Sequence, residues 1–303
     1  MSMRITEGMV SRSLLTDLGD VTSRMAHTQR KLSTGKEINR VSDDPFAAGR
    51  ALSLSSEIEG IKQYQRNVDD ATGWQNVADI ALSNIGDAVH RARELVVAAA
   101  SDSTGPDGRV AMAGEIDQLI ESIKQEAGTT YSGRYIFSGT LTDTKPYDSA
   151  SDTYQGDANT IAREIGPGVS IQVNLSAEDL LGNGQGAADG KLLATLRDIS
   201  DHLRGGTTAD ADALRTTDLQ ALDANLDNLS SMRATVGATT NRLSTAADRL
   251  SQLEGSTTEL LSNTQDADMA QAMIDFTTQQ NVYQAALRSG ANIIQASLLD
   301  FLR

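Results

Sequence analysis

The 303-residue sequence contains no cysteine, which excludes a disulfide framework, a zinc thiolate and a thiol nucleophile. It has only four prolines, Pro45, Pro106, Pro146 and Pro167, so none interrupts residues 168–303 and long helices are permitted there. One Trp, six Tyr and four Phe are few for a single large globular core. Basic residues are in the minority as well: 26 Lys and Arg against 41 Asp and Glu give a net charge of −15. Such a chain is unsuited to neutralising nucleic-acid phosphates or to settling on an anionic bilayer, so neither nucleic acid nor membrane is expected among its partners. The excess acid reads as a solubilising surface. No apolar run reaches the roughly 18 residues that span a bilayer. Met1-Ser2-Met3-Arg4-Ile5-Thr6-Glu7 lacks the apolar run of a cleavable signal peptide, so if the protein leaves the cell it does so by a route that reads no such peptide.

What the sequence does have is helical periodicity at both ends. Over Asp266–Arg303, apolar side chains recur at alternating steps of four and three: Met269, Met273, Phe276, Tyr283, Leu287, Ile294 and Phe301. That spacing predicts a coiled-coil seam. Gln280, Gly290 and Ser297 interrupt it, while Val282, Ile293, Leu298 and Leu299 lie off it as a second apolar surface. Ordering each residue costs about 1–2 kcal/mol of backbone entropy, whereas a buried seam side chain returns about 1.5–3 kcal/mol. One partner helix would not cover both surfaces, so the segment is expected to need several neighbours. Leu14, Leu18, Val21, Met25, Thr28 and Leu32 follow the same alternation and supply its natural mate. Residues 1–40 carry seven Lys and Arg against four Asp and Glu, and residues 263–303 two Arg against four Asp, a complementarity that helps choose partner and register. The expected assembly interface is therefore Leu14, Leu18, Val21, Met25 and Leu32 with Met269, Met273, Phe276, Tyr283, Leu287, Ile294, Leu298 and Phe301.

Between these ends, Asp44 and Pro45 read as an N-cap followed by a first helical residue. A long seam runs from Ile61 through Val68, Ala71, Ala78, Leu82, Ile85, Val89, Ala92, Val96 and Ala99. Met112, Ile116, Leu119, Ile120 and Ile123 predict an amphipathic helix folding back after the Gly105-Pro106-Asp107-Gly108 turn. A third seam, Leu219, Leu222, Leu226, Leu229, Val236, Leu243, Ala247, Leu250 and Leu261, matches the second in length. Two long helices flanking an insertion imply a chain that runs out and returns, with its termini together. Within the insertion, Tyr135–Phe137, Thr153–Gln155 and Val169–Val173 predict strands, and Lys191–Leu203 a short helix. The expected fold is mainly α, a long antiparallel coiled-coil-like helical bundle formed by the N- and C-terminal segments with an inserted small, mostly β outer domain. Its expected parts are 1–42 with 265–303 as terminal assembly helices, 43–132 with 209–264 as a helical bundle, and 133–208 as the outer domain with one short helix.

Motifs for chemistry do not assemble. His27, His90 and His202 sit on separate predicted helices without ligand spacing and read as solvent-facing. Asp43 and Asp44 read as capping groups. Gly182-Asn183-Gly184-Gln185-Gly186 lacks the Gly-Lys-Ser/Thr of a phosphate loop and reads as a flexible connector. No Gly-x-Ser-x-Gly elbow occurs, and Trp74 fits a helix-packing site. No catalytic residue, metal or cofactor is expected, and the chain is not read as an enzyme.

Four stretches carry a family resemblance. They are Arg4–Met9; Gln29–Arg40 leading through Ser42-Asp43-Asp44-Pro45-Phe46-Ala47-Ala48-Gly49; Tyr135-Ile136-Phe137-Ser138-Gly139; and Gln279–Leu287 with Ser297–Arg303. Together they resemble the flagellin superfamily, and Pro45 and the Tyr135–Gly139 run resemble its hook-filament junction branch. The resemblance implies a secreted structural subunit of the bacterial flagellum, exported through the flagellar type III apparatus and self-associating into a short helical collar. It also implies contacts with the first hook-associated protein and with flagellin, and a cytoplasmic export chaperone on the C-terminal helix. Val89–Val96 is similar to the flagellin surface read by an innate immune receptor, with Arg91, Glu94 and Leu95 matching; the other reading is an ordinary charged helix face. Two other readings of the chain stand beside this one: a filament subunit polymerising without limit, and a secreted helical docking module acting as a monomer.

Overall fold

The structure, a computed structural model, describes residues 7–101, 104–148, 151–187 and 189–301. Its helices are α1 (Glu7–Thr34), α2 (Pro45–Ala99), α3 (Pro106–Ala127), α4 (Glu178–Leu181), α5 (Leu192–Gly205), α6 (Thr208–Arg215), α7 (Thr217–Gln265) and α8 (Met269–Phe301). Its strands are β1 (Thr130–Tyr131), β2 (Arg134–Tyr135), β3 (Ala162–Gly166) and β4 (Val169–Gln172). The chain divides into two compact units, Met1–Gly60 with Leu253–Arg303, and Ile61–Gln252.

In the second unit every residue of the seam from Ile61 to Ala99 is buried. Arg91 Nε meets Glu115 Oε1 at 2.7 Å, and Asn84 Nδ2 donates to Glu126 Oε2 at 3.1 Å, so α3 runs antiparallel to α2. By the same test α7 is antiparallel too, since Arg93 pairs with Asp223 at 2.7 Å and Asp79 with Arg233 at 3.1 Å. These pairs are solvent-exposed and fix register more than they stabilise. The stabilising contact is apolar: Leu82, Ile85 and Val89 of α2 share a core with Ile116 and Ile120 of α3, Leu196 and Ile199 of α5, and Leu222 and Leu229 of α7. A smaller cluster joins Ile61 and Val68 to Ile171 and Val173 and to Leu243 and Leu250.

The helical class holds, but the inserted region has less sheet than its sequence suggests. It forms two antiparallel two-stranded sheets, β1 with β2 and β3 with β4. Val169–Gln172 is a strand as expected, whereas Thr153–Gln155 is not. The Tyr154 amide donates to Asn183 Oδ1 at 3.1 Å and the Gln155 amide to the Pro146 carbonyl at 2.9 Å, so loop contacts consume the donors a ladder would need. The strand in the Tyr135–Gly139 run likewise ends at Tyr135, and Ile136, Phe137 and Ser138 continue as buried loop with a single bridge, Ser138 to Ser176. Ser138 Oγ donates to the Thr144 carbonyl at 2.7 Å, and Tyr154 Oη donates to the Phe137 carbonyl at 2.9 Å. Tyr147 is fully buried, its hydroxyl donating to the Gly182 carbonyl at 2.7 Å. The Gly182–Gly186 segment is consequently no flexible connector. The Asn183 amide donates to Asp189 at 2.8 Å, and Gln185 Nε2 donates to both Asp198 and Asp201 of α5.

Gly139 has a φ of +68°, and a Cβ there would overlap the Asp157 carbonyl. Asp157 in turn accepts from the Thr140 hydroxyl and amide, and these bonds hold its carboxyl down to about 2. With the folded value depressed, its contribution is present above the ordinary carboxylate range and is lost as pH falls through about 2. Gly139→Ala is expected to cost about 1–3 kcal/mol through the left-handed backbone alone. Denaturant melts followed by tyrosine fluorescence would read this, and an unchanged midpoint would reject the constraint.

An ion network ties α3 to α5. Lys124 is only 2% exposed; its Nζ meets Asp152 at 3.1 Å and Glu121 at 2.9 Å. Arg197 Nε reaches Asp152 at 2.8 Å and its Nη1 reaches Asp117 at 3.4 Å, while Arg204 also pairs with Asp117.

Candidate functional site: the paired terminal helices

The first unit is built on α1 and α8 running antiparallel. At one end the Ala267 amide donates to the Gly35 carbonyl at 2.9 Å and the Glu37 amide to the Gln265 carbonyl at 2.7 Å. At the other, a Cβ on Gly290 would lie 2.6 Å from Leu14 Cδ2. The connection between α1 and α2 is fixed by two carboxylates. Asp43 Oδ2 accepts from the Arg40 amide at 2.9 Å and the Asn39 amide at 3.2 Å, and Asp44 Oδ1 accepts from Phe46 and Ala47, each at 3.0 Å. Asp44 is therefore the N-cap, with Pro45 at the first position, where its missing amide matters least. Burial alone would raise the Asp43 carboxyl, but the Arg40 and Asn39 amides outweigh it and hold the group below its ordinary value. Lys31 and Glu37 form an ion pair across the bend, and Asp268 Oδ1 caps α8 by accepting from Ala270 at 2.9 Å and Gln271 at 3.1 Å.

On α1, Val21 is buried, and Leu14, Leu18, Met25 and Leu32 are half-buried. The face of α8 that loses exposure is Ala272, Phe276, Gln279, Tyr283, Ala286 and Gly290, again in steps of four and three. Phe276 and Tyr283 were expected there. Met269 and Leu287, each 46% exposed, and Met273, at 55%, lie outside that seam, in company with exposed Ile274 and Val282. Ile294, Leu298 and Phe301 fall outside the residues whose side chains are described. The helices thus close through Phe276 and Tyr283 with the small residues Ala272, Ala286 and Gly290 between and beyond them, and a second apolar stripe of α8 stays exposed.

Gly290 is the tightest point of that approach. Gly290→Ala is expected to be tolerated, because the clash is with the far end of the flexible Leu14 side chain and alanine gains helix propensity. Gly290→Leu overfills the site and is expected to speed amide exchange near Leu14 by about ten- to a hundredfold, as a cost of about 1–3 kcal/mol requires. Equal exchange in both variants would show that the close approach is unimportant.

The remaining candidates separate. Arg91 pairs with Glu94 at 2.9 Å as well as with Glu115, but Leu95 is 5% exposed in the core, so the three share no open face. Two histidines do have carboxylate neighbours, contrary to the sequence reading: His202 Nδ1 is 2.7 Å from Asp218 Oδ2, and His27 Nε2 is 3.8 Å from Asp43. Both partners come from elsewhere in the chain, which spacing along one helix cannot reveal. Among the described residues no group of three or more His, Asp and Glu could hold a metal ion, and no helix is long and apolar enough to cross a membrane.

Comparison with known proteins bears on both ends. Residues 5–142 match the bacterial flagellin N-terminal helical region, and residues 219–302 match the bacterial flagellin C-terminal helical region. The chain is 29% identical to flagellin of Bacillus subtilis (strain 168), covering 99% of this chain and 100% of that one. It is 26% identical to flagellar hook-associated protein 3 of Escherichia coli (strain K12), covering 89% of this chain and 90% of the relative. The crystal structure of flagellar hook associated protein-3 from Legionella pneumophila shares the fold, with a TM-score of 0.59 at 16% identity over 69% of this chain and 97% of that one.

Proposed function

Because the chain belongs to the flagellin family, we propose that it is a structural subunit of the bacterial flagellum that joins the hook to the filament. The observation that carries a structural role is the α1·α8 pair, closed through the Ala272–Gly290 stripe while Met269, Met273, Ile274, Val282 and Leu287 remain uncovered. A monomer gains nothing from such a face; a subunit buries it against neighbours. Similarity to a hook-associated protein 3 over 90% of that protein's length, together with Pro45 after Asp43-Asp44 and the buried Tyr135–Gly139 loop, supports the junction branch.

In this reading residues 1–42 with 265–303 assemble, 43–132 with 209–264 form the supporting bundle, and 133–208 project as the outer domain. The subunit leaves the cell through the flagellar type III apparatus, its C-terminal helix held by a cytoplasmic chaperone beforehand. It then self-associates into a short collar between the first hook-associated protein and flagellin. An α8 with a second apolar stripe left exposed suits all three steps, since it is threaded, gripped and only then buried.

A second reading, filament flagellin, is favoured by the 29% identity to the Bacillus subtilis protein across its whole length. Seeded assembly separates the two. Purified chain is added to filament seeds, and to hook ends already carrying the first hook-associated protein, in a kosmotropic salt, and viewed by electron microscopy. A short collar on hook ends without extension is the expected result; long filaments on the seeds would make it a filament subunit.

A further inference from the structure

The first unit holds one more exposed feature, and its complement. Phe46, the second residue of α2, is 91% exposed. Near it an open hollow of about 170 Å³ has an apolar wall of Ile38, Val41, Ala48, Ala51 and Leu52 and a polar margin of Asn39, Arg40, Ser55 and Gln265. At about 100° of turn per residue, Ala48, Ala51, Leu52 and Ser55 lie about 140–240° round the helix from Phe46. The ring and the hollow are therefore on opposite sides of α2, and one chain's ring does not reach its own hollow. An aliphatic cavity of about 150 Å³ accepts benzene, so this one has room for a phenyl group.

We propose that Phe46 of one copy seats in the Ile38–Ser55 hollow of the next. Knob and socket on different faces of one subunit make a head-to-tail contact, which propagates as a helix or ring instead of stopping at a dimer. The contact rests on the proposed self-assembling role, names side chains outside the sequence-predicted interface, and leaves the uncovered α8 face free for further neighbours.

The absence of native cysteine makes the test clean, because each engineered thiol is unique. Full-length Arg50→Cys chains, with the thiol one turn along the Phe46 face and the ring kept, and Ser55→Cys chains are mixed under assembly conditions and treated with a short bis-maleimide. The pair is expected to yield covalent dimers well above those from Arg50→Cys mixed with Val110→Cys, an exposed site in the other unit. The doubly substituted chain should give a ladder. Phe46→Ala, which removes an already exposed side chain, should melt like the parent yet need about ten- to a hundredfold more protein for half-association by sedimentation. If the parent associates but the cross-link stays at the control level, or Phe46→Ala associates normally, the contact is wrong and the assembly role stands. Cross-linking of Arg50→Cys only to itself would replace it with a symmetric contact. A parent chain that remains monomeric at every concentration would instead overturn the assembly role, and this contact with it.

Discussion

Asp152→Ala is expected to be the most damaging single truncation in the second unit, costing about 3–5 kcal/mol and lowering the melting temperature by roughly 6–20 °C. The argument turns on which charge is left behind. Asp152 is held by two Arg197 nitrogens and by Lys124, whose ammonium is almost wholly buried. Removing the carboxylate leaves Lys124 with Glu121, a half-exposed partner, and takes the bidentate anchor from Arg197. Lys124→Met removes the buried charge instead of stranding it, and is expected to cost less. The pH dependence supplies an independent check. Burial by itself would raise the Asp152 carboxyl, but hydrogen bonds from Arg197 and Lys124 outweigh it and hold the group below the ordinary carboxylate value. A depressed folded value means the stabilisation is complete above the unfolded carboxylate range and is lost as pH falls through the folded one. The difference between parent and variant should therefore shrink in strong acid. A melting temperature within about 2 °C of the parent at neutral pH would mean the network contributes less than about 1 kcal/mol.

This network also marks the limit of what the sequence discloses. Asp117, Glu121 and Lys124 of α3, Arg197 and Arg204 of α5, and Asp152 of the loop before β3 are brought together by tertiary packing, and beyond the Glu121–Lys124 pair at i,i+3 no local spacing announces it. Long, regular features were legible. The buried line from Ile61 to Ala99 and the α1 stripe from Leu14 to Leu32 could both be read from periodicity, because one apolar face dominates each helix. Alpha-8 was harder because it has two stripes. Met269, Met273, Phe276, Tyr283 and Leu287 satisfy the four-three alternation, and so do Ala272, Phe276, Gln279, Tyr283, Ala286 and Gly290. Reading by side-chain size favours the first; the α1 contact uses the second, which keeps Phe276 and Tyr283 but takes Ala272, Ala286 and Gly290 in place of the methionines and Leu287. Strand β3 was missed for a related reason. Ala162-Arg163-Glu164-Ile165-Gly166 has little strand character of its own and is paired because Val169–Gln172 turns back on it.

The same two-stripe arrangement yields the largest functional effect expected. Met273→Asp combined with Leu287→Asp should reduce incorporation into the flagellar assembly by more than about a hundredfold, since each change forfeits about 1.5–3 kcal/mol of apolar burial and adds the cost of desolvating a carboxylate. In the free chain both side chains are already in water, so the melting curve should move little. Val21→Asp provides the contrast. Val21 is buried within the first unit, so a carboxylate there should damage the isolated chain and its assembly alike. Comparing the two separates an interface between subunits from a contact that merely holds α1 to its own chain. Normal incorporation of the double variant, in seeded assembly or in restoring motility to cells lacking the protein, would show that the uncovered α8 face is not where neighbours bind. Failure of the double variant accompanied by loss of its helical signal would mean that Met273 and Leu287 support the fold and not the assembly. Only an intact, soluble chain that cannot be incorporated fits a subunit whose terminal helices pair along one stripe of α8 and keep the other for other copies.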